Sequence, residues 1–173
     1  MNQESDEHIE DLSHDQAVKK IRDLAKSAGV CLFGSSFGQL PLTVRPMSAE
    51  NVDESGNFWF LSGRSSLKNQ HIARNPQVQL LFANAGDSEF LSLQGTATIT
   101  DDRALKEKYW TAFAKTWFPG GVDDPELTVI NVRPEVGHYW DTHHGKALAM
   151  LKIAIGAVTG KPMDVGIQGQ VRP

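Results

Sequence analysis

The stretch LSGRSSLKNQHIARNP, Leu61–Pro76, follows directly on the apolar residues NFWF and changes character within a few positions. Large apolar side chains rich in β-formers predict a strand over about 57–62. Ser62, Ser65 and Ser66, with Arg64 and Lys68, then cluster where a helix opens, and Asn75-Pro76 closes that segment. The first backbone N–H groups of a helix lack intrahelical partners and lie at the positive end of its dipole, so a helix start beside Ser and Lys attracts phosphate. A plainer reading competes: one serine caps the helix, and Arg64 and Lys68 are solvated surface charges.

Arg45 weighs against the plainer reading. It stands in the strand-like run LPLTVRPM, Leu40–Met47, where an alternating strand seldom carries an arginine without an anionic partner, and Pro46 beside it implies an edge or a bulge. A hairpin between this strand and the one starting at Asn57 would bring Arg45 to the same anion as Ser66 and Lys68.

Around this centre, Ser13-His14-Asp15-Gln16 fits a capping box, and Val18, Ile21, Ala25 and Ala28 recur at helical spacing. A helix is expected over His14–Ala28, with Gly29 as its stop. Further strands are expected at Val30–Ser35, Val78–Phe82, Glu89–Thr100 (long enough to bend) and Leu127–Trp140. Asn84-Ala85-Gly86-Asp87 makes a hairpin loop, and Asp53–Gly56 a turn. Asp101 or Asp102 caps a helix with Leu105, Tyr109, Ala112, Phe113 and Thr116 on one face. About six strands in hairpin succession, without β-α-β alternation, predict a mainly β fold: a small antiparallel barrel with peripheral helices. The expected organisation is a disordered acidic segment over 1–12, one barrel domain over 13–141, and a C-terminal helix with an irregular tail over 142–173.

At 173 residues, 40% hydrophobic and 22% charged, the chain is of the soluble globular class. Six acids fall within Met1–Asp15 without a Lys or Arg, so the formal charge of -4 is more than accounted for there and the remainder of the chain is slightly positive. No basic stripe remains of the kind that nucleic acid requires. Cys31, in VCLFG, reads as a buried apolar residue in a reducing compartment, and the acidic start is unlike a secretory leader, so a cytoplasmic location is expected. ALAMLKIAIGAVTG, residues 147–160, is too short to span a bilayer and contains Lys152; it reads as an amphipathic helix, and no membrane partner is expected. His143-His144 lacks a third ligand at metal spacing, so no metal is expected. Trp110, Trp117, Phe118 and Trp140 read as core or subunit-seam residues. No residue is assigned a catalytic role, because no carboxylates pair for acid–base work and G-x-S-x-G and P-loop patterns are absent.

The order Arg45-Pro46-Met47, then WFLSGRSSLK (59–68), NPQVQLLF (75–82) and LQGTATI (93–99), resembles the FMN-binding split barrel of the pyridoxamine 5'-phosphate oxidase-like superfamily, most closely its general stress protein 26 type. The resemblance covers about 15–141. It implies a homodimer of six-stranded antiparallel split β-barrels with FMN in the clefts between subunits; FAD is the other flavin compatible with it. It places Arg45, Ser66 and Lys68 on the flavin phosphate, with Leu67 between them in the motif. The segments Pro46-Met47 and Leu61-Ser62 face the isoalloxazine, and Trp140 of the partner chain flanks the ring. The function implied is that of an FMN-binding general stress protein: either a flavin-dependent oxidoreductase of unidentified substrate, or a non-enzymatic flavin-binding or flavin-storing protein closed by Phe113 and Trp117.

Departures from the oxidase bear on substrate. Its Ser-Arg-Lys at the helix start is here Ser66-Leu67-Lys68, one cation short unless Arg64 substitutes, and Phe90 stands near the position of a glutamine. Its Tyr-x3-Arg-x3-Ser substrate-phosphate grip corresponds to Tyr109-x3-Phe113-x3-Trp117, and its Arg-x-His element has no counterpart after Trp140. True pyridoxamine phosphate oxidase activity is therefore not expected.

Overall fold

The computed structural model describes residues 8–38, 41–142 and 166–173. Short strands β1 (His8–Ile9) and β2 (Leu12–Ser13) lead into helix α1 (His14–Ala28), and β3 (Val30–Ser35), β4 (Thr43–Ser48), β5 (Asn51–Val52) and β6 (Phe58–Gly63) follow. Next come α2 (Leu67–Arg74), β7 (Gln77–Asn84), β8 (Glu89–Thr100), α3 (Arg103–Tyr109), 3-10 turns at Ala112–Thr116 and Gly121–Asp123, β9 (Leu127–Thr142) and β10 (Gly166–Arg172).

Helix α1 spans the expected residues, and the Gly29 N–H closes it on Ala25 O at 3.0 Å. The expected capping box does not form, since the Ser13 side chain makes no cap bond. The buried stripe runs through Ala17, Ile21, Leu24 and Ala25; Val18 packs over Gly56 in the turn before β6 instead.

The described strands form one ten-stranded sheet in the order β1-β10-β9-β8-β7-β3-β4, with β6 on the first half of β9 and β5 on β6. β1 and β2 run parallel to β10 while the other ladders are antiparallel, so the sheet is mixed. It does not close, which corrects the expected six-stranded antiparallel barrel. The hairpin expected between the Arg45 strand and the Asn57 strand is absent, because β4 is paired with β3 (Phe33↔Arg45) and β6 with β9 (Phe60↔Ile130). Side chains bridge the two arms instead: Phe33 meets Phe60 edge to face at 5.5 Å, and Phe58 packs on Phe82 at 5.4 Å. Alternation along β6, β7 and β8 aims Phe58, Phe60, Val78, Leu80, Phe82, Leu91 and Leu93 into this core, which α1 covers. β8 bends as expected, at a bulge between Gln94 and Gly95. Only glycine fits at Gly95, since a Cβ there would lie 2.3 Å from Arg133 O.

Both chain ends differ from expectation. Residues 8–9 and 12, within the segment expected to be disordered, and 166–172, expected to be irregular, lie in strands. The second half of β9 would otherwise be an open edge, and β10 covers it from Thr142 to Gly137. The segment 147–160 and His143-His144 lie outside the described residues, and within those residues no helix is long and apolar enough to cross a membrane.

The single helix expected after Asp102 is broken. Asp102 caps α3 by accepting from the Leu105 N–H at 2.9 Å, the chain turns at Trp110, and Thr111 caps the following 3-10 turn. The break sends Tyr109 inward to stack on Trp59 at 4.9 Å, while Phe113 and Trp117 meet edge to face at 4.7 Å on the exposed side.

Candidate functional site

Four parts of the chain enclose a cavity of about 610 Å³: Pro46 to Glu50, Leu61 to Gly63 with Lys68, the Phe113 to Phe118 turn, and Val30 with Glu126. The volume is in the range of small-molecule and cofactor sites. Of the residues singled out from the sequence, Pro46, Met47, Leu61, Ser62 and Lys68 line it. Phe113 and Trp117 line it too and are 72% and 59% exposed, so they form its rim rather than a plug.

The start of α2 is fixed by a buried polar network. The Ser62 hydroxyl donates to Asn69 Oδ1 at 2.6 Å, Asn69 Nδ2 donates to Thr128 Oγ1 at 3.0 Å, and Thr128 Oγ1 donates to Ser62 O at 2.8 Å. Ser62, Asn69 and Thr128 are buried, and the closed circuit leaves none of these three links unmatched. It ties α2 to β6 and β9, with Ser66 as the N-cap and its hydroxyl receiving the Asn69 N–H and Lys68 Nζ, both at 3.4 Å.

Lys68 and Arg45 converge there. Arg45 shares the inward face of β4 with Met47, and Pro46 between them points outward. Burial, and then the positive charge of Arg45, push the Lys68 ammonium down to about 8, and burial lowers Arg45 as well. Among the described residues neither cation is paired with a carboxylate. A partly buried cation that is depressed by a second one beside it is stable only if an anion joins them or solvent reaches them. Lys68 thus brings a partly buried positive charge to one side of the cavity, whose lining also includes the carboxylates Glu50 and Glu126, while Arg45 and Ser66 stand beside Lys68 outside that lining.

Other candidates fall elsewhere. Arg64 donates to Asp101 at 2.6 Å and to Pro125 O at 2.8 Å, so it does not substitute for the missing cation. Ser65 is engaged with Glu126, and the Leu67 side chain is exposed. Trp140 lies across the sheet among Val30, Leu32, Leu81 and Phe90, around a shallow 350 Å³ depression. Cys31 is buried, and its thiol is pushed up to about 12, so it is no nucleophile. Among the described residues no three His, Cys, Asp or Glu side chains form a metal-ligating group.

Sequence reasoning missed Ser35, His71, Asn69 and Thr128. Ser35 was detectable as a polar residue continuing the inward alternation of Cys31 and Phe33. His71, three residues after Lys68, shares its helix face. The Asn69–Thr128 pairing joins positions 59 residues apart and left no local signal.

The family model for pyridoxamine 5'-phosphate oxidase like proteins matches residues 16–164. Protein bli-3 of Neurospora crassa is 30% identical over 133 residues, 72% of this chain and 64% of that protein. General stress protein 26 of Bacillus subtilis is 31% identical over 78 residues, 43% of this chain and 54% of that protein. The alignments thus span between about half and two thirds of these curated relatives. Among solved structures, a general stress protein 26 from Jannaschia sp. CCS1 superposes with a TM-score of 0.76 at 25% identity, covering 90% of this chain and 97% of that one. The general stress FMN/FAD binding protein from Xanthomonas citri shares the fold, with a TM-score of 0.62 at 24% identity over 72% of this chain and 87% of its own. The match over most of its length, with general stress protein 26 homologues in both sequence and structure, means that this chain belongs to the pyridoxamine 5'-phosphate oxidase like family.

Proposed function

We propose that this protein binds FMN, with the phosphate held by Arg45, Ser66 and Lys68 and the ring against Pro46-Met47 and Leu61-Ser62. One observation carries the reading: Lys68, which lines the 610 Å³ cavity, and Arg45 beside it form a pair of cations without a carboxylate partner among the described residues. A neighbour of the same fold that is an FMN/FAD binding protein supports it. The bound flavin would supply the redox-active ring, while this chain supplies grip, orientation and access. Because Phe113 and Trp117 form an exposed rim, the ring edge stays reachable, which favours a flavin-dependent oxidoreductase over a storage protein. The same reading includes a homodimer in which the apolar surface of Val30, Leu32, Phe90 and Trp140 is covered by a second copy, and a cytoplasmic setting.

The test is a fluorescence titration with FMN and riboflavin. Arg45→Ala and Lys68→Ala should each weaken FMN by about 1.5 to 3 kcal/mol, the worth of a charge-assisted bond, with riboflavin little changed. Equal losses for both ligands would remove the phosphate from these residues. Mass spectrometry of the cofactor released from purified protein separates FMN from FAD, and bleaching of bound flavin by NADH or NADPH separates an oxidoreductase from a store.

A further inference from the structure

Arg45 is tethered from behind. Its Nη1 donates to the Ser35 hydroxyl at 3.0 Å, and that hydroxyl lies 3.2 Å from His71 Nδ1. A guanidinium only donates, so the Ser35 oxygen accepts from Arg45 and its own proton is left for another partner. Ser35 is fully buried at 0% exposure, where a hydroxyl proton needs an internal acceptor, and His71 Nδ1, in the tautomer that leaves it an acceptor, is the one at hand. The three side chains come from the end of β3, from β4 and from α2. Neither Ser35 nor His71 takes part in the phosphate grip described above.

The choice of a neutral tether has a consequence. A lone arginine beside Lys68 is repelled by it and has many rotamers to occupy. A carboxylate would hold it, but would also neutralise it and compete with an incoming anion. A hydroxyl polarised by imidazole holds one edge of the guanidinium without neutralising it, and leaves the remaining N–H donors for the ligand.

We infer that Ser35 and His71 are positioning residues that fix Arg45 for phosphate and thereby set the preference for phosphorylated over unphosphorylated flavin. The inference rests on the FMN reading. Its test compares FMN and riboflavin dissociation constants for the wild-type protein and four variants. Ser35→Ala and His71→Leu should each lower the FMN-to-riboflavin preference about five- to tenfold, the effect of one lost hydrogen bond, with riboflavin affinity changed by less than about twofold. His71→Asn, whose Oδ1 falls near the place of Nδ1 and accepts a proton, should restore most of the preference. A role in packing alone would predict no such rescue. Combining Ser35→Ala with His71→Leu should cost little more than either change alone, because both break one chain. Should Ser35→Ala fail to fold, the two His71 variants decide the matter. Wild-type preference for FMN that survives His71→Leu, or equal loss for both flavins, overturns the inference while leaving the FMN reading intact. Absence of any FMN preference in the wild-type protein overturns both.

Discussion

Lys68 is the residue whose chemistry is most exposed to experiment. Burial first, and Arg45 second, hold its ammonium near 8 against an ordinary value of 10.5. A bound phosphate favours the charged form and raises that value, so binding takes up a proton between about pH 8 and the raised value. FMN affinity should therefore be flat between about pH 6.5 and 7.5, where the phosphate is mostly dianionic, and fall as the pH rises through 8, by at most about tenfold per unit. Lys68→Met should weaken binding and abolish the break, and affinity that rises across pH 8 in the wild type would contradict the assignment. The free protein responds in the opposite sense. With the folded value below the unfolded one, charged Lys68 costs stability below about 8, and that cost is relieved between 8 and 10.5. Cys31 lies outside this chemistry, buried and with a raised thiol value.

At the level of elements, β10 and the strands before α1 form a strap over the end of β9. Tyr139, itself buried, donates its hydroxyl to Glu10 O at 2.8 Å, and the Glu10 N–H donates to Gln168 O at 2.8 Å. The approach is possible because Gly169 lacks a side chain: a Cβ there would stand 1.9 Å from Glu10 O. Gly169→Ala should push the N-terminal strands off β10, lose these bonds and destabilise the protein by about 1 to 3 kcal/mol. Gly166→Ala is the control, since its Cβ would make an ordinary 3.6 Å contact, and it should stay within about 0.5 kcal/mol of wild type. Equal thermal unfolding midpoints for the two variants would show that the strap contributes nothing.

For the whole molecule, one face of the sheet carries Val30 at 49%, Leu32 at 48%, Phe90 at 40% and Trp140 at 42% exposure. A contiguous apolar face of this kind costs solubility unless covered. The protein should be a dimer at low micromolar concentration by light scattering, and Trp140→Asp should shift it towards monomer; a monomeric wild type that retains flavin would remove the shared-cleft model. Substrate choice belongs to this scale as well, because the rim of the cavity is set by the break between α3 and the following turn. Phe113 and Trp117 occupy that rim and offer no charged donor, so a second phosphate finds no cation to hold it there. Pyridoxamine 5'-phosphate should not be turned over appreciably with FMN and oxygen, and robust pyridoxal phosphate formation would overturn the assignment of these positions.

Local information was enough wherever the determinant lay within a few residues along the chain. The span of α1, the boundaries of β3, the Asn84–Asp87 hairpin loop, the Asp102 cap and the Ser66 cap are all set by periodicity, turn chemistry or a single side chain reaching its own backbone. The positions of Arg45 and Lys68 were legible for the same reason, since cations at a strand and a helix start are visible in one dimension. Partnership was not. Whether β4 pairs with β3 or β6, and whether residues 166–172 pair at all, depends on which free edge each strand meets, and strands of similar alternation satisfy several edges equally well. The tether Ser35–Arg45–His71 and the circuit Ser62–Asn69–Thr128 exist only after the sheet has brought distant hydroxyls and amides together in the dry interior. The sequence alone thus determined where the cations stand along the chain; the tertiary structure decided that Arg64 is spent on Asp101 while Arg45 and Lys68 are left facing one another, because charge pairing follows distance in space rather than distance along the chain.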